Sequence, residues 1–297
     1  MTQAPPTVVE RMKELLADER DRIRLDDYVT GLLRQALEAL AAVPNATNVP
    51  VSQETFNERL SAYEEAISGL IEAVILIARW GRPEHALMLE RIVSRLADWS
   101  KNSSGLLAWV LLPWHTLNLI SSTAGSTALF LQNYWVLKPL FLTSVRVNPL
   151  SSERLPALVQ TSNAMRQLMD MFKFVSGNPQ HRVPGSEYFF ARMRQPLDDL
   201  LFLDDRYESL FDEFEIFSSL VYADLTARDD GTVWALPGRF GYKFKRAGQP
   251  YDQFISEAIS AGNQWPPLKC GFFRSSAERF EQIATAYRKF LVDLPWY

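Results

Sequence analysis

Cysteine is nearly missing from this chain: Cys270 is the only one in 297 residues. Its isolation excludes an internal disulfide framework and a cysteine-built zinc site, and it fits a reducing compartment, with the cytoplasm as the default expectation. Histidine is almost as scarce. His85, His115 and His181 lie far apart, and no two have the spacing of a helical metal site. A triad is defined by geometry rather than by order, so three histidines leave one open. A lone residue such as His115 on an apolar face reads as a core histidine with one nitrogen satisfied. Neither GxxxxGK[ST] nor GxGxxG occurs, so the two commonest nucleotide sites have no support, and no cofactor is expected. An excess of basic charge is missing as well. The net charge of -4 gives the whole protein no attraction for nucleic acid or anionic lipid. The amino terminus, MTQAPPTVVERMKELLADERDR, has no apolar run behind a basic cluster and no lipidation motif, so neither a secretory leader nor an anchor is expected.

Charge of either sign is absent from one long stretch. Asn102 to Leu137, NSSGLLAWVLLPWHTLNLISSTAGSTALFLQNYWVL, runs for 36 residues without Asp, Glu, Lys or Arg. Crossing a bilayer twice takes two continuous apolar spans of about 20 residues each. Here Pro113, His115 and Asn118 interrupt the first half, and Ser121, Ser122, Thr123, Gly125, Ser126 and Thr127 interrupt the second. A segment too apolar for the surface and too polar for lipid predicts a helical hairpin buried in a water-soluble protein, with small residues allowing close packing. No membrane contact is expected.

What is present is an ordinary globular composition: 47% hydrophobic and 22% charged residues, with both signs interleaved, enough for a sizeable core. Apolar residues at three-and-four spacing predict helices over 8–40, from Ser52 as N-cap to Trp80, and from Glu84 to Trp99, with Arg91 and Arg95 turned outward. Lys138 to Pro149 predicts an extended or irregular crossing. Ser152 to Val175 predicts a helix whose Met165, Leu168, Met169, Met171, Phe172 and Phe174 form a core face that also suits an adaptable binding groove. Ser176 to Glu187 reads as a surface loop, the place for a ligand contact or a proteolytic nick. Helices resume through Tyr188 to Leu203, with a kink at Pro196, and through Asp205 to Leu225.

From Arg228 the balance turns basic, ten Lys or Arg against seven Asp or Glu. Phe240, Tyr242 and Phe244 alternate with Arg239, Lys243 and Lys245, a period of two that predicts a short strand or extended arm. A short helix from Tyr251 to Ala261 closes at Gly262, and a last helix opens on a capping box of Ser275 and Glu278. The whole predicts an all-α fold: a multi-helix bundle around the buried uncharged hairpin, with a helical body over 1–226 and a small, irregular or β-containing subdomain over 227–297 packed on it.

Two clusters carry candidate chemistry. Asp198 and Asp199, followed by Asp204 and Asp205 in DDLLFLDD, are the metal candidates, since carboxylates on a helical scaffold can hold magnesium against a diphosphate. The DDxxD spacing of isoprenoid synthases is not met: Asp199 and Asp204 stand five apart, and Asp204 and Asp205 also read as the start of the next helix. Arg239, Lys243, Lys245 and Arg246 beside Phe240, Tyr242 and Phe244 are the ligand or nucleic-acid candidates, with the residue types that contact phosphate and stack on bases. Aromatics sealing a helical body under wet cations are the competing explanation. No catalytic residue stands out.

The order ERMKELLADERDRIRLDDYVTGLLR, then YEEAISGLIEAVILIARWGRPEHALMLERIVSRLADW, then the uncharged stretch into FLQNYWVLKPLFL, resembles the helical accessory or sensor module behind SIR2-like or TIR-like effector domains in bacterial anti-phage defence proteins. The likeness spans about the first 145 residues and rests on helical pattern. No effector domain is expected ahead of Met1, and so no catalytic residue is expected to carry over. The resemblance implies a regulatory module with a protein partner or effector domain, cut from a longer protein or acting beside a separate effector. The expected function is therefore a non-enzymatic interaction or sensing module. The alternatives are a small-molecule or diphosphate-processing enzyme at the acidic cluster and a nucleic-acid-binding module using the basic aromatic arm.

Overall fold

The computed structural model describes residues 6–44, 46–101, 104–150, 152–176, 182–247 and 249–294; the side chains of 176, 245–247 and 249 lie outside that description. The chain opens with α1 (Val8–Ala17), started by a capping box in which Thr7 accepts from the Glu10 amide and Glu10 reaches back to Thr7. Next comes α2 (Arg22–Ala42), which buries Leu25, Val29, Leu33, Ala36 and Leu40, one face at the helical repeat. Ser52 caps α3 (Gln53–Ala66), accepting from the Thr55 amide at 3.1 Å. The apolar stripe that predicts a single helix to Trp80 is broken at Ile67 (φ -103, ψ 3), beyond which α4 (Ser68–Trp80) is buried over almost its whole circumference. In α5 (Ala86–Ser100), Leu89, Ile92, Val93 and Leu96 point inward, and Arg91 and Arg95 face out as the spacing predicts.

The uncharged stretch resolves unevenly. A short lead, α6 (Leu107–Leu111), begins with Leu106 and Leu107 exposed, and then turns into α7 (Trp114–Phe130). From Leu112 to Leu129 every residue except Asn118 is buried, so one arm of the predicted hairpin forms the axis of the molecule. Around α7 lie α4, α5, α8 (Leu137–Leu142), α9 (Ala157–Leu168), α11 (Pro184–Leu201) and α12 (Tyr207–Thr226). No helix among the described residues is long and apolar enough to cross a membrane.

Small polar residues allow such a helix to be surrounded. Thr116, Thr123 and Thr127 donate their hydroxyls to carbonyls of their own helix or its cap, at 2.9 to 3.0 Å, so they enter the core without seeking outside partners. Gly125 permits the close approach of α12: a Cβ there would lie 2.5 Å from Phe214 Cε2. Gly125→Ala is therefore expected to cost about 1–3 kcal/mol through overpacking, read as a lower urea midpoint, with Phe214→Leu in the same chain recovering part of the loss.

The expected crossing over 138–149 is α8 followed by β1 (Ser144–Arg146), which pairs antiparallel with β2 (Arg154–Pro156), Val145 facing Leu155. The helix expected over 152–175 thus starts late, as α9, and breaks at Met169 to Met171 before α10 (Phe172–Ser176). Residues 177–181 of the expected surface loop, His181 included, lie outside the described residues.

The extended arm is overturned. Residues Gly238–Ala247 form a helix, α13, followed by α14 (Gln249–Ala261), α15 (Pro266–Lys269) and α16 (Ala277–Asp293). Phe240 and Phe244 fit a period of two and a period of four equally, and burial selects four. Both point inward, Phe240 stacking on Tyr251 at 6.4 Å between centroids, while Tyr242 leaves that face to donate to Glu187 Oε1 at 2.6 Å. Residues 227–237 are irregular, and the only paired strands among the described residues are β1 and β2. Gly262 (φ +52) follows α14 as predicted, whereas α16 is capped by Ser276, one residue later than the sequence suggests.

Candidate functional site

A cavity of about 140 Å³ lies beside the axis, between α7, α9, α11 and α12. Each helix presents one stripe to it, at i, i+3, i+4 and i+7 or close to that. From α7 come Asn118, Ser121 and Ser122; from α9, Leu158, Thr161, Ser162 and Met165, with Met169 just past its end; from α11, Gly185, Ser186, Phe189 and Met193; from α12, Phe211, Phe214, Glu215, Ser218, Ser219 and Tyr222. Leu236, Pro237 and Gly238, leading into α13, close one end. The walls are mainly apolar, dotted with hydroxyls. Ser219 donates to Leu236 O at 2.7 Å, and Tyr222 donates to Asn163 Oδ1 at 2.8 Å. Asn118, Ser121, Ser122 and Ser162 have no side-chain hydrogen bond to another described residue.

Among the described residues Glu215 is the only Asp, Glu, Lys or Arg lining this space. Its surface is half-buried because one side faces the cavity, while protein surrounds it elsewhere. Burial pushes the carboxyl up to about 7, against the hydrogen bonds from Ser186 and the Arg239 amide; Asp212, one turn back, raises it further and Arg239 lowers it. Ser186 donates its hydroxyl to Oε1, and the Arg239 N–H donates to Oε2 at 2.8 Å and lies 3.0 Å from Ser186 Oγ. The carboxylate thereby caps the amino end of α13. Gly238 makes this possible. Its φ is +52, and a Cβ would lie 2.4 Å from Glu215 Cδ, so only glycine lets the backbone come so near.

A second buried carboxylate, Glu64 of α3, holds three elements together. His115 Nε2 lies 2.8 Å from Oε1, the Tyr188 hydroxyl donates to the same oxygen at 2.5 Å, and Arg192 Nε pairs with Oε2 at 2.5 Å. Burial works to raise the Glu64 carboxyl, but the bonds and charges of His115, Tyr188 and Arg192 outweigh it and hold it below the usual carboxylate value. Burial, with the adjacent Glu64 charge, drives the Tyr188 hydroxyl far up. His115 Nδ1 has no partner, and the ring is enclosed by Phe172, Tyr188 and Phe189, with centroids 5.1 to 6.0 Å away. One satisfied nitrogen in an aromatic box matches the core-histidine expectation.

The residues singled out in the sequence are dispersed. Asp198 Oδ2 lies 3.3 Å from Arg194 Nε one turn back, whereas Asp199 faces another cavity with Glu64, Glu72 and Arg192. There, burial and the nearby Asp199 raise the Glu72 carboxyl. Among the described residues no group of three or more His, Cys, Asp or Glu is placed to hold a metal ion. Asp205 takes a first-turn place ahead of α12, but Asp204, at φ 47, makes no side-chain cap there.

Arg239 and Lys243 sit one turn apart on α13 and are already paired. Arg239 lies over the Phe190 ring at 3.5 Å and 3.2 Å from Glu187; Lys243 donates to Glu208 and Asp212, each at 2.6 Å. Phe240 and Phe244 are core residues, and Tyr242 bonds Glu187. The side chains of Lys245 and Arg246 lie outside the described residues. Sequence reasoning overlooked Glu215, Ser186, Gly238 and Glu64. A signal for Glu215 existed: in FDEFEIFSSLVY it shares a helical face with Phe211, Ser218, Ser219 and Tyr222. No family model, curated protein or solved structure gives a significant match to the chain.

Proposed function

We propose that the protein is a non-enzymatic sensing module that takes a small molecule into the cavity between α7, α9, α11 and α12 and passes its occupancy to a protein effector. The observation that carries this reading is the position of Glu215, which faces the cavity with one side and holds the Arg239 amide in the first turn of α13 with the other. A ligand engaging Glu215 competes with, or reinforces, the attachment of α13. That helix in turn ties α11 and α12 together through Arg239 with Glu187 and Lys243 with Asp212. A route from interior to surface therefore exists without any change in the core. The lining has the make-up of a binding pocket, apolar walls with a few convergent polar groups. Met165, Met169 and Met193 give the walls room to adjust. The effector, of the kind present in anti-phage defence systems, is supplied by the likeness in helical order over the first 145 residues.

The test is a screen of single-ring fragments against the full chain, followed through the methionine methyl signals in NMR. Ligands in the cavity are expected to move those of Met165, Met169 and Met193, and no fragment is chemically altered. Ser122→Leu, which fills the space from the α7 side, is expected to abolish those shifts while leaving the protein at least as stable to heat. Binding that persists unchanged in Ser122→Leu, or the absence of any shift at these three methyls, sinks the reading.

A further inference from the structure

We infer that the ligand of this cavity is a small ring-bearing amine, its ring among Met165, Met169 and Phe214 and its ammonium group on the Glu215 carboxylate. The inference rests on the sensing reading above and adds the chemistry of what is sensed. Size comes first. The space is about 140 Å³, and an apolar protein cavity of about 150 Å³ accommodates benzene. One six-membered ring with a short substituent is the scale that fits.

Charge decides the substituent. Glu215 lines the cavity and, among the described residues, no Lys, Arg or His does, so an anionic ligand would meet a like charge and no counter-ion there. Each carboxylate oxygen offers two acceptor positions. Ser186 occupies one on Oε1 and the Arg239 amide one on Oε2, which leaves the cavity side for a further donor. An ammonium group supplies up to three donors and the missing positive charge. The unpaired hydroxyls of Ser121 and Ser122, both more than nine-tenths buried, line the same cavity from α7 and offer further acceptors for a cationic group. Phe189, Phe211 and Phe214 add ring faces that favour a cation.

An ammonium ligand requires an ionised Glu215, so its affinity should rise with pH. The groups facing that carboxylate are Asp212 and Tyr207 of its own helix or the turn at its start, Arg239 from α13, and Tyr287 from α16. Burial raises the Asp212 carboxyl as well, against the hydrogen bond and charge of Lys243, so the Glu215→Gln variant is what separates the response of Glu215 from that of its neighbour.

Benzylamine, toluene and benzoate, titrated into the full chain with the methionine methyl signals as readout, test the inference. Benzylamine is expected to bind at least tenfold more tightly than toluene at pH 8, to lose at least tenfold in Glu215→Gln, and to weaken by up to about tenfold at pH 6; toluene is expected to ignore both changes, and benzoate not to bind. Toluene binding as tightly as benzylamine, or benzylamine indifferent to Glu215→Gln, overturns the amine while leaving a cavity that senses neutral molecules. Should Glu215→Gln fail to fold, benzylamine affinity that is flat from pH 6 to 8 in the wild type overturns it equally. If none of the three moves the signals of Met165, Met169 or Met193, the amine and the sensing reading fall together.

Discussion

At pH 8 the Glu215→Gln protein unfolds at a higher urea concentration than the wild type, and the two converge as the solution is acidified towards pH 5. An unfolded Glu215 titrates near 4.5, whereas in the folded protein its carboxyl is pushed up to about 7. Between those values the native state keeps a proton that the unfolded chain has lost, so stability falls as pH rises through the window. Above it the full cost of the buried charge is present, about 3 kcal/mol. Glutamine has nothing to ionise. Its carbonyl can still accept from the Arg239 amide, and the Ser186 hydroxyl can turn to accept from the new NH2 group, so the shape of the site is kept. Asp212, Arg239, Tyr207 and Tyr287 face the position in both proteins, and the difference between the two pH profiles isolates Glu215. Parallel profiles from pH 5 to 8 would show that the carboxyl titrates normally and is well solvated.

Removing Glu64 is expected to have the larger effect. Glu64→Ala deprives His115, Tyr188 and Arg192 of one shared acceptor. Arg192 is half exposed and can turn to water, but His115 is sealed from solvent and its ring loses the one hydrogen bond it makes among the described residues. Breaking a buried charged contact on one side costs about 3–5 kcal/mol, measurable as a lower urea midpoint. Glu64→Gln keeps two of the contacts and should cost less. The pH profile has the opposite sense to that of Glu215: the folded carboxyl lies below its ordinary value, so its contribution is complete above that value and disappears as acid takes the solution through the lower one. A Glu64→Ala loss under about 1 kcal/mol would mean that the three donors find other partners.

Much of the architecture was legible because burial in helices writes itself into spacing. Leu25, Val29, Leu33, Ala36 and Leu40 repeat at three and four, and the run without charge from Asn102 marked the centre before any coordinates. Boundaries were less legible. The stripe from Phe56 to Ala78 continues through Ile67, because a turn that keeps the same face inward leaves no trace in the pattern. At Phe240 to Phe244 two periods fit five residues equally well, and only the partners of Tyr242 and Lys243 on α11 and α12 separate them. The site was hidden for a related reason. Glu215 sits 29 residues from Ser186 and 24 from the Arg239 amide, and its environment is created by the folded chain. The methionines of α9 were the visible part of it, since their face suits either a core or a groove, and Met165 and Met169 do line the cavity.

The contact between Gly125 and the ring of Phe214 limits how α7 could respond to the proposed ligand. On one side α7 meets α12 with no room for a methyl group; on the other its threonines are tethered to its own backbone. Such a shaft can neither turn nor slide without a steric collision, so in the sensing proposal it would be the fixed bearing, and α13, entered through Gly238 at φ +52, the lighter part that answers the ligand.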